Sequence, residues 1–233
     1  MKASIEVTPD AKWADRVTER LLAEIAPGKR LCLPTGSTPV PVYRRLAGST
    51  SLEGLELFLL DEFGGLPKGD PGRCATMLSR ELLSVSTGSA NVHIPDVDAA
   101  DPAEAASRFG ALIHEGGLDL AVVGLGPNGH IGLNEPGSTP DQTTRVVDLA
   151  PLTSQGARLY GATATPTWGI TVGMAELAAA REVLVLVTGG HKAEILQRVL
   201  EGPIGPETPA SYLTDLDSCT FLVDESAALN GAV

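Results

Sequence analysis

Four side chains of this chain stand where apolar runs end, and their types suit proton transfer on an anionic ligand: Asp61, His130, Glu135 and Lys192. The richest segment is Asp119-Leu-Ala-Val-Val-Gly-Leu-Gly-Pro-Asn-Gly-His-Ile-Gly-Leu-Asn-Glu-Pro-Gly137. Leu118 to Val123 is a short apolar run that reads as a buried parallel strand. Gly124, Gly126 and Gly129 then open a loop that delivers His130 and, further on, Glu135. A carboxylate that orients one imidazole nitrogen leaves the other free for acid–base work. The glycines also fit the dinucleotide pattern G-x-G-x-x-G, which needs a helix starting inside the motif to receive a pyrophosphate. Pro127 lies in the loop and Pro136-Gly137 follows soon after, so a long helix cannot start there and nucleotide binding is disfavoured.

Asp61 closes the apolar run Leu57-Phe-Leu-Leu60. In open α/β sheets ligands sit beyond the carboxyl ends of the strands. An acid held there by burial has a raised pKa and is suited to abstracting a proton, although a strand-end acid in a turn has the same sequence appearance. Glu62 reads as its structural neighbour, bonded to backbone. The loop Thr35-Gly36-Ser37-Thr38 offers a glycine for close approach, two hydroxyls and the start of a helix, which together favour phosphate. A plain strand-to-helix cap uses the same residues. It is not a Walker loop, because no Gly-Lys-Ser/Thr follows. Lys192, after Gly189-Gly190-His191 at another strand end, points into the same crevice as a counter-charge. His93, His114 and His191 lack comparable settings, so no metal site is expected.

The elements that must position these groups alternate along the chain. Trp13, Val17, Leu21 and Ile25 recur at helical spacing after Asp10, which can cap that helix, and Pro27-Gly28 ends it. Strands are expected at Arg30–Leu33, Leu55–Leu60, Asn91–Ile94, Leu118–Val123, Val183–Val187 and Cys219–Val223. Helices are expected from Thr38-Pro39, over Ala75–Val85, from Asp101-Pro-Ala-Glu104 to about Glu115, and over Thr171–Ala180 and Lys192–Leu200. The stretch between Gly137 and Thr171 reads as long and irregular. This alternation predicts a Rossmann-like α/β fold, a mostly parallel sheet with helices on both faces. No linker or repeat divides it, so residues 1–233 are expected to form a single domain.

Composition narrows the partners. The chain has 233 residues and a net charge of −12. That balance disfavours nucleic acid and anionic membranes, so an anionic ligand must be held by local basic groups. Cys32, Cys74 and Cys219 are odd in number and widely spaced, which suggests three reduced cysteines rather than a disulfide framework or zinc site. The opening Met1-Lys-Ala-Ser-Ile-Glu-Val-Thr has no apolar core, and no apolar run is long enough for a membrane span, so a cytoplasmic location is expected.

Gly126-Pro-Asn-Gly-His-Ile-Gly-Leu-Asn-Glu-Pro-Gly137 resembles the signature loop of the glucosamine-6-phosphate deaminase/isomerase family. Leu33-Pro-Thr-Gly-Ser-Thr-Pro39 resembles its phosphate loop, Leu60-Asp-Glu-Phe-Gly-Gly-Leu-Pro67 the segment with its base, and Glu182-Val-Leu-Val-Leu-Val-Thr-Gly-Gly-His-Lys192 its late strand with a phosphate-binding lysine. The four occur in the family's order, and the resemblance runs from about Leu31 to Asp224. It implies an enzyme that converts an amino-sugar 6-phosphate into a ketose 6-phosphate and ammonia. Asp61 would be the base, with His130, Glu135 and Asn128 assisting ring opening. Gly36, Ser37, Thr38, Lys192 and Arg158 would hold the phosphate, Arg158 from a segment, Thr153–Tyr160, that resembles the family's mobile lid. No cofactor is implied. Arg145 matches a family position without an assigned role.

Three departures qualify the resemblance. Asn128 stands where many members have aspartate, which leaves Glu135 as the main acidic partner of His130. Asp70-Pro-Gly-Arg-Cys-Ala-Thr76 lacks a Ser-Tyr pair of the glucosamine branch and is closer to the galactosamine-6-phosphate branch, so the epimer stays open. The chain stops soon after Asp224-Glu225, without the long extension of hexameric, allosteric members, so a homo-oligomer is compatible with the sequence but that hexamer is not expected. The related 6-phosphogluconolactonases share the phosphate loop and a histidine, and lactone hydrolysis is the alternative activity. Their loop usually continues Gly-His-Thr-Ala-Ser, where this chain has Gly-His-Ile-Gly-Leu-Asn-Glu. A sugar-phosphate sensor without catalysis is the alternative from another class.

Overall fold

The computed structural model describes residues 1–228. In chain order its strands are β1 (Ser4–Thr8), β2 (Arg30–Leu33), β3 (Glu56–Leu59), β4 (Asp61–Phe63), β5 (Asn91–His93), β6 (Leu120–Gly124), β7 (Arg145–Asp148), β8 (Trp168–Thr171), β9 (Glu182–Val187) and β10 (Cys219–Asp224). Its helices are α1 (Asp10–Glu24), α2 (Val40–Ala47), α3 (Cys74–Glu81), α4 (Pro102–Gly116), α5 (Pro151–Gly156), α6 (Met174–Ala178), α7 (Ala193–Glu201) and α8 (Glu225–Ala228). Seven strands form one sheet in the order β1-β10-β9-β6-β2-β3-β5, with every pairing parallel.

Alternation within the central strands shows why the sheet carries helices on both faces. Ala121, Val123, Val183, Val185 and Val187 pack on one side with Phe109 and Ile113 of α4, Met174 and Leu177 of α6, and Leu196 and Val199 of α7. Leu120, Val122, Leu184 and Leu186 pack on the other with Trp13, Val17 and Leu21 of α1, Tyr43 and Leu46 of α2, and Met77 and Leu78 of α3. Parallel strands buried on both faces read as unbroken apolar runs, which is how β6 and β9 look in the sequence.

Several boundaries differ from expectation. Asp10 does not cap α1; its carboxylate accepts from the backbone N–H and the hydroxyl of Ser226, tying α1 to the start of α8. Asp101 does cap α4, accepting from Ala103 N and Glu104 N at 3.0 Å each. The helix expected over Thr171–Ala180 is shorter than that: Thr171 closes the strand β8, and α6 covers Met174–Ala178. The stretch expected to be irregular contains β7, α5 and a 3-10 turn over Ala157–Tyr160. β7 and β8 join β4 in a second, antiparallel sheet of three strands, β4-β8-β7. Among the described residues no helix is long and apolar enough to cross a membrane.

Candidate active site

Strand order brings the sequence motifs together. β9, β6, β2 and β3 are successive parallel neighbours, so the loops after Val187, Gly124, Leu33 and Leu59 leave the sheet along one edge. From β2 the chain builds outward through β3 and β5, then returns to β6 on the other side and builds through β9 and β10. The carboxyl ends of β2 and β6 therefore flank a topological switch point, the usual place for a ligand crevice in such sheets.

Asp61 begins β4, one residue past the end of β3, and is 7% exposed. Burial pushes its pKa up to about 6, against the Cys74 thiol and the charge of His130, which favour the carboxylate. Cys74 Sγ donates to Asp61 Oδ1 at 3.2 Å. Gly132 makes room beside the other oxygen: a Cβ there would lie 3.1 Å from Asp61 Oδ2, and its φ of +58° disfavours other residues as well. Glu62 has the structural role expected of it. Its carboxylate accepts from Cys74 N and Ala75 N at 2.9 Å, closing the first turn of α3, and from Phe63 N at 2.8 Å.

The loop after β6 holds His130, Glu135 and Asn128. His130 Nδ1 lies 3.4 Å from Glu135 Oε2 and 3.5 Å from Thr153 Oγ1 of α5. Burial alone would raise the pKa of Glu135, but the hydrogen bond and charge of His130, with Thr153 and Asn128, hold it down at about 2. Asn128 spans the loop: Nδ2 donates to Glu135 Oε2 at 2.9 Å, and Oδ1 accepts from His130 N at 3.2 Å. The loop is anchored below by Asn134, fully buried, whose amide donates to Ile131 O and Val172 O at 2.9 Å each. Arg145 completes the anchor, donating to Asn134 Oδ1 at 2.8 Å and Ser138 Oγ at 3.0 Å. Arg145 thus braces the loop that carries Glu135.

The basic and hydroxyl groups complete the rim. Lys192 Nζ donates to Leu125 O at 2.8 Å, joining the loop after β9 to the loop after β6, and burial lowers its pKa. Gly36, Ser37 and Thr38 lie between β2 and α2. A Cβ on Gly36, which has a φ of +96°, would lie 3.3 Å from Tyr160 Oη, so Tyr160 covers this loop. Arg158, expected at the phosphate, is exposed in this structure, and its Nε donates to Thr165 Oγ1 at 3.1 Å. The segment meets the loop between β2 and α2 through Tyr160 and meets His130 through Thr153.

Sequence reasoning named Asp61, His130, Glu135, Asn128 and Lys192 but assigned no role to Cys74, Thr153 or Tyr160. Cys74 had one signal: it follows Arg73 where a helix starts. Its contact with Asp61 depends on Glu62 placing that helix.

The family described as glucosamine-6-phosphate isomerases/6-phosphogluconolactonase matches residues 10–221. A glucosamine-6-phosphate deaminase of Rhodopirellula baltica is 39% identical, covering 96% of this chain and 94% of that protein. The Caenorhabditis elegans enzyme of the same name is 36% identical over 98% of this chain and 91% of its own length. Among solved structures, a monomeric glucosamine-6-phosphate deaminase superposes with a TM-score of 0.89 at 29% identity, covering 97% of this chain and 99% of the other. A 6-phosphogluconolactonase of Thermotoga maritima shares the fold, with a TM-score of 0.77 at 23% identity, covering 96% of this chain and 100% of the other.

Proposed function

This chain belongs to the family of glucosamine-6-phosphate isomerases and 6-phosphogluconolactonases, and we propose that it deaminates and isomerises an amino-sugar 6-phosphate, glucosamine 6-phosphate first, to a ketose 6-phosphate and ammonia. The observation that carries this reading is the pairing of two differently tuned carboxyls at one sheet edge: Asp61, raised to about 6, and Glu135, held at about 2 beside His130. One is suited to take up and return a proton; the other stays an anion that orients an imidazole.

In the reaction, His130 with Glu135 moves the proton needed to open the pyranose ring, and Asn128 keeps Glu135 in register with His130. Asp61 then removes the C2 proton and returns it at C1. The bond electrons pass through an enol-type intermediate, and water releases the amine from the resulting imine as ammonia. One base reaching two adjacent carbons suffices, so no cofactor is invoked. The phosphate is held at Gly36, Ser37, Thr38 and Lys192, with Arg158 reaching it once the Thr153–Tyr160 segment moves. Binding energy from this remote group positions the reacting carbons.

Residues 1–233 are read as one domain of this type acting in the cytoplasm.

The test is release of ammonia from glucosamine 6-phosphate and from its galacto epimer, beside hydrolysis of 6-phosphogluconolactone. Ammonia from the gluco epimer, without lactone hydrolysis above the blank, is expected. Lactone hydrolysis without ammonia would place the chain in the other branch of the family, and binding without turnover of any of the three would make it a sensor.

A further inference from the structure

We propose that Cys74 is a positioning residue for Asp61: its thiol holds Oδ1, keeping the carboxylate oriented and leaving Oδ2 as the oxygen that works on the substrate carbons. This rests on Asp61 being the base, as proposed above.

The geometry makes the thiol a fixed donor. Cys74 is the first residue of α3 and 2% exposed. Its backbone N–H is bonded to Glu62 Oε1 at 2.9 Å, and its Sγ to Asp61 Oδ1 at 3.2 Å. Neighbouring acids in β4 thus take the two donors of one residue. Burial, with the charges of Asp61 and Glu62, pushes the thiol pKa well above its usual value, so at neutral pH the group stays S–H and donates. Among the described residues, Oδ1 has this side-chain donor and Oδ2 has none; Oδ2 instead borders the bare Cα of Gly132. A donor bonded to the charged form favours that form. The thiol therefore opposes the burial that would otherwise keep Asp61 protonated and unable to act as a base.

The experiment is a carboxyl ¹³C NMR titration of Asp61, its resonance assigned by its loss in Asp61→Asn, run beside kcat/KM–pH profiles for the wild type, Cys74→Ala and Cys74→Ser. In Cys74→Ala the Asp61 midpoint should rise by about half a unit or more, since a donor to the charged form is lost. Cys74→Ser, which restores a donor, should return it to the wild-type value or below. The acidic limb of kcat/KM should follow the midpoint, with kcat falling more than KM changes. An unmoved midpoint in Cys74→Ala overturns the proposal, as does a midpoint in Cys74→Ser above that of the wild type; the serine variant decides alone if the alanine variant does not fold. A midpoint that rises while the acidic limb stays put would uphold the Cys74–Asp61 hydrogen bond and instead contradict Asp61 as the base.

Discussion

Asn128 and Glu135 are joined at 2.9 Å, and the Glu135 oxygen that accepts from the amide is the one that faces His130 Nδ1 at 3.4 Å. The asparagine therefore serves the histidine indirectly, by fixing the carboxylate. Glu135→Gln should lose about 10²-fold or more in kcat/KM, because it removes the charge that supports His130 in proton transfer. Asn128→Ala should lose less. Asn128→Asp, the residue many members have here, sets a second carboxylate against Glu135 Oε2 and should raise the Glu135 pKa from about 2. Steady-state kinetics on the three variants check this; an Asn128→Ala defect larger than that of Glu135→Gln would make the asparagine the dominant partner.

The buried carboxyl of Asp61 costs stability. Its pKa is about 6 when folded, against about 3.9 in an unfolded chain. Between those values the folded state binds more protons, so stability falls as pH rises through the window from about 4 to 6 and the cost is full above it. Asp61→Asn removes the cost, which is at most on the order of 3 kcal/mol. Its Tm should exceed that of the wild type by several degrees at pH 7.5, and the gap should close near pH 4. Thermal melts across that range test the sign; equal melting temperatures at pH 7.5 would mean that the buried carboxylate is fully compensated.

Gly132 is tied to Asp61 by space. A methyl group there meets Thr171 Oγ1 at 3.0 Å and Asp61 Oδ2 at 3.1 Å, on a backbone with φ of +58°. Gly132→Ala should cost about 1–2 kcal/mol by denaturant unfolding, from the left-handed backbone alone, and should lower kcat more than it changes KM by displacing the base. A stable variant with wild-type kcat would separate this glycine from the site.

The central strands were legible because burial on both faces leaves β6 and β9 as apolar runs that run out into glycines, and the loops that follow carry His130 and Lys192. The second sheet was not. β7 is Arg-Val-Val-Asp with a half-exposed pattern, and β4 is Asp-Glu-Phe, whose acids are buried for reasons found far along the chain: Asp61 pairs with Thr171 in the antiparallel register. β1 was missed because its partner, β10, lies at the other end of the described chain. The Cys74–Asp61 bond was equally hidden, since it requires Glu62 to fix the start of α3. Local pattern reports which residues stand at strand ends; long-range pairing decides what touches them.

Lys192 should act on binding. Lys192→Ala should raise KM roughly tenfold to a hundredfold with a smaller fall in kcat, a hydrogen bond to a charged group being worth about 1.5–3 kcal/mol. Saturation kinetics with the phosphorylated sugar read this directly, and an unchanged KM would put the lysine outside the phosphate site.

The central claim is that Asp61 moves the proton between C2 and C1. The most direct measurement is the rate of ammonia release from glucosamine 6-phosphate by Asp61→Asn against the wild type, with folding checked by circular dichroism. A positioned base is worth about 10²–10⁴-fold, so turnover should fall by at least about a hundredfold while KM stays close to that of the wild type. A folded Asp61→Asn variant that keeps more than about a tenth of wild-type turnover would contradict the account, because an amide cannot take that proton.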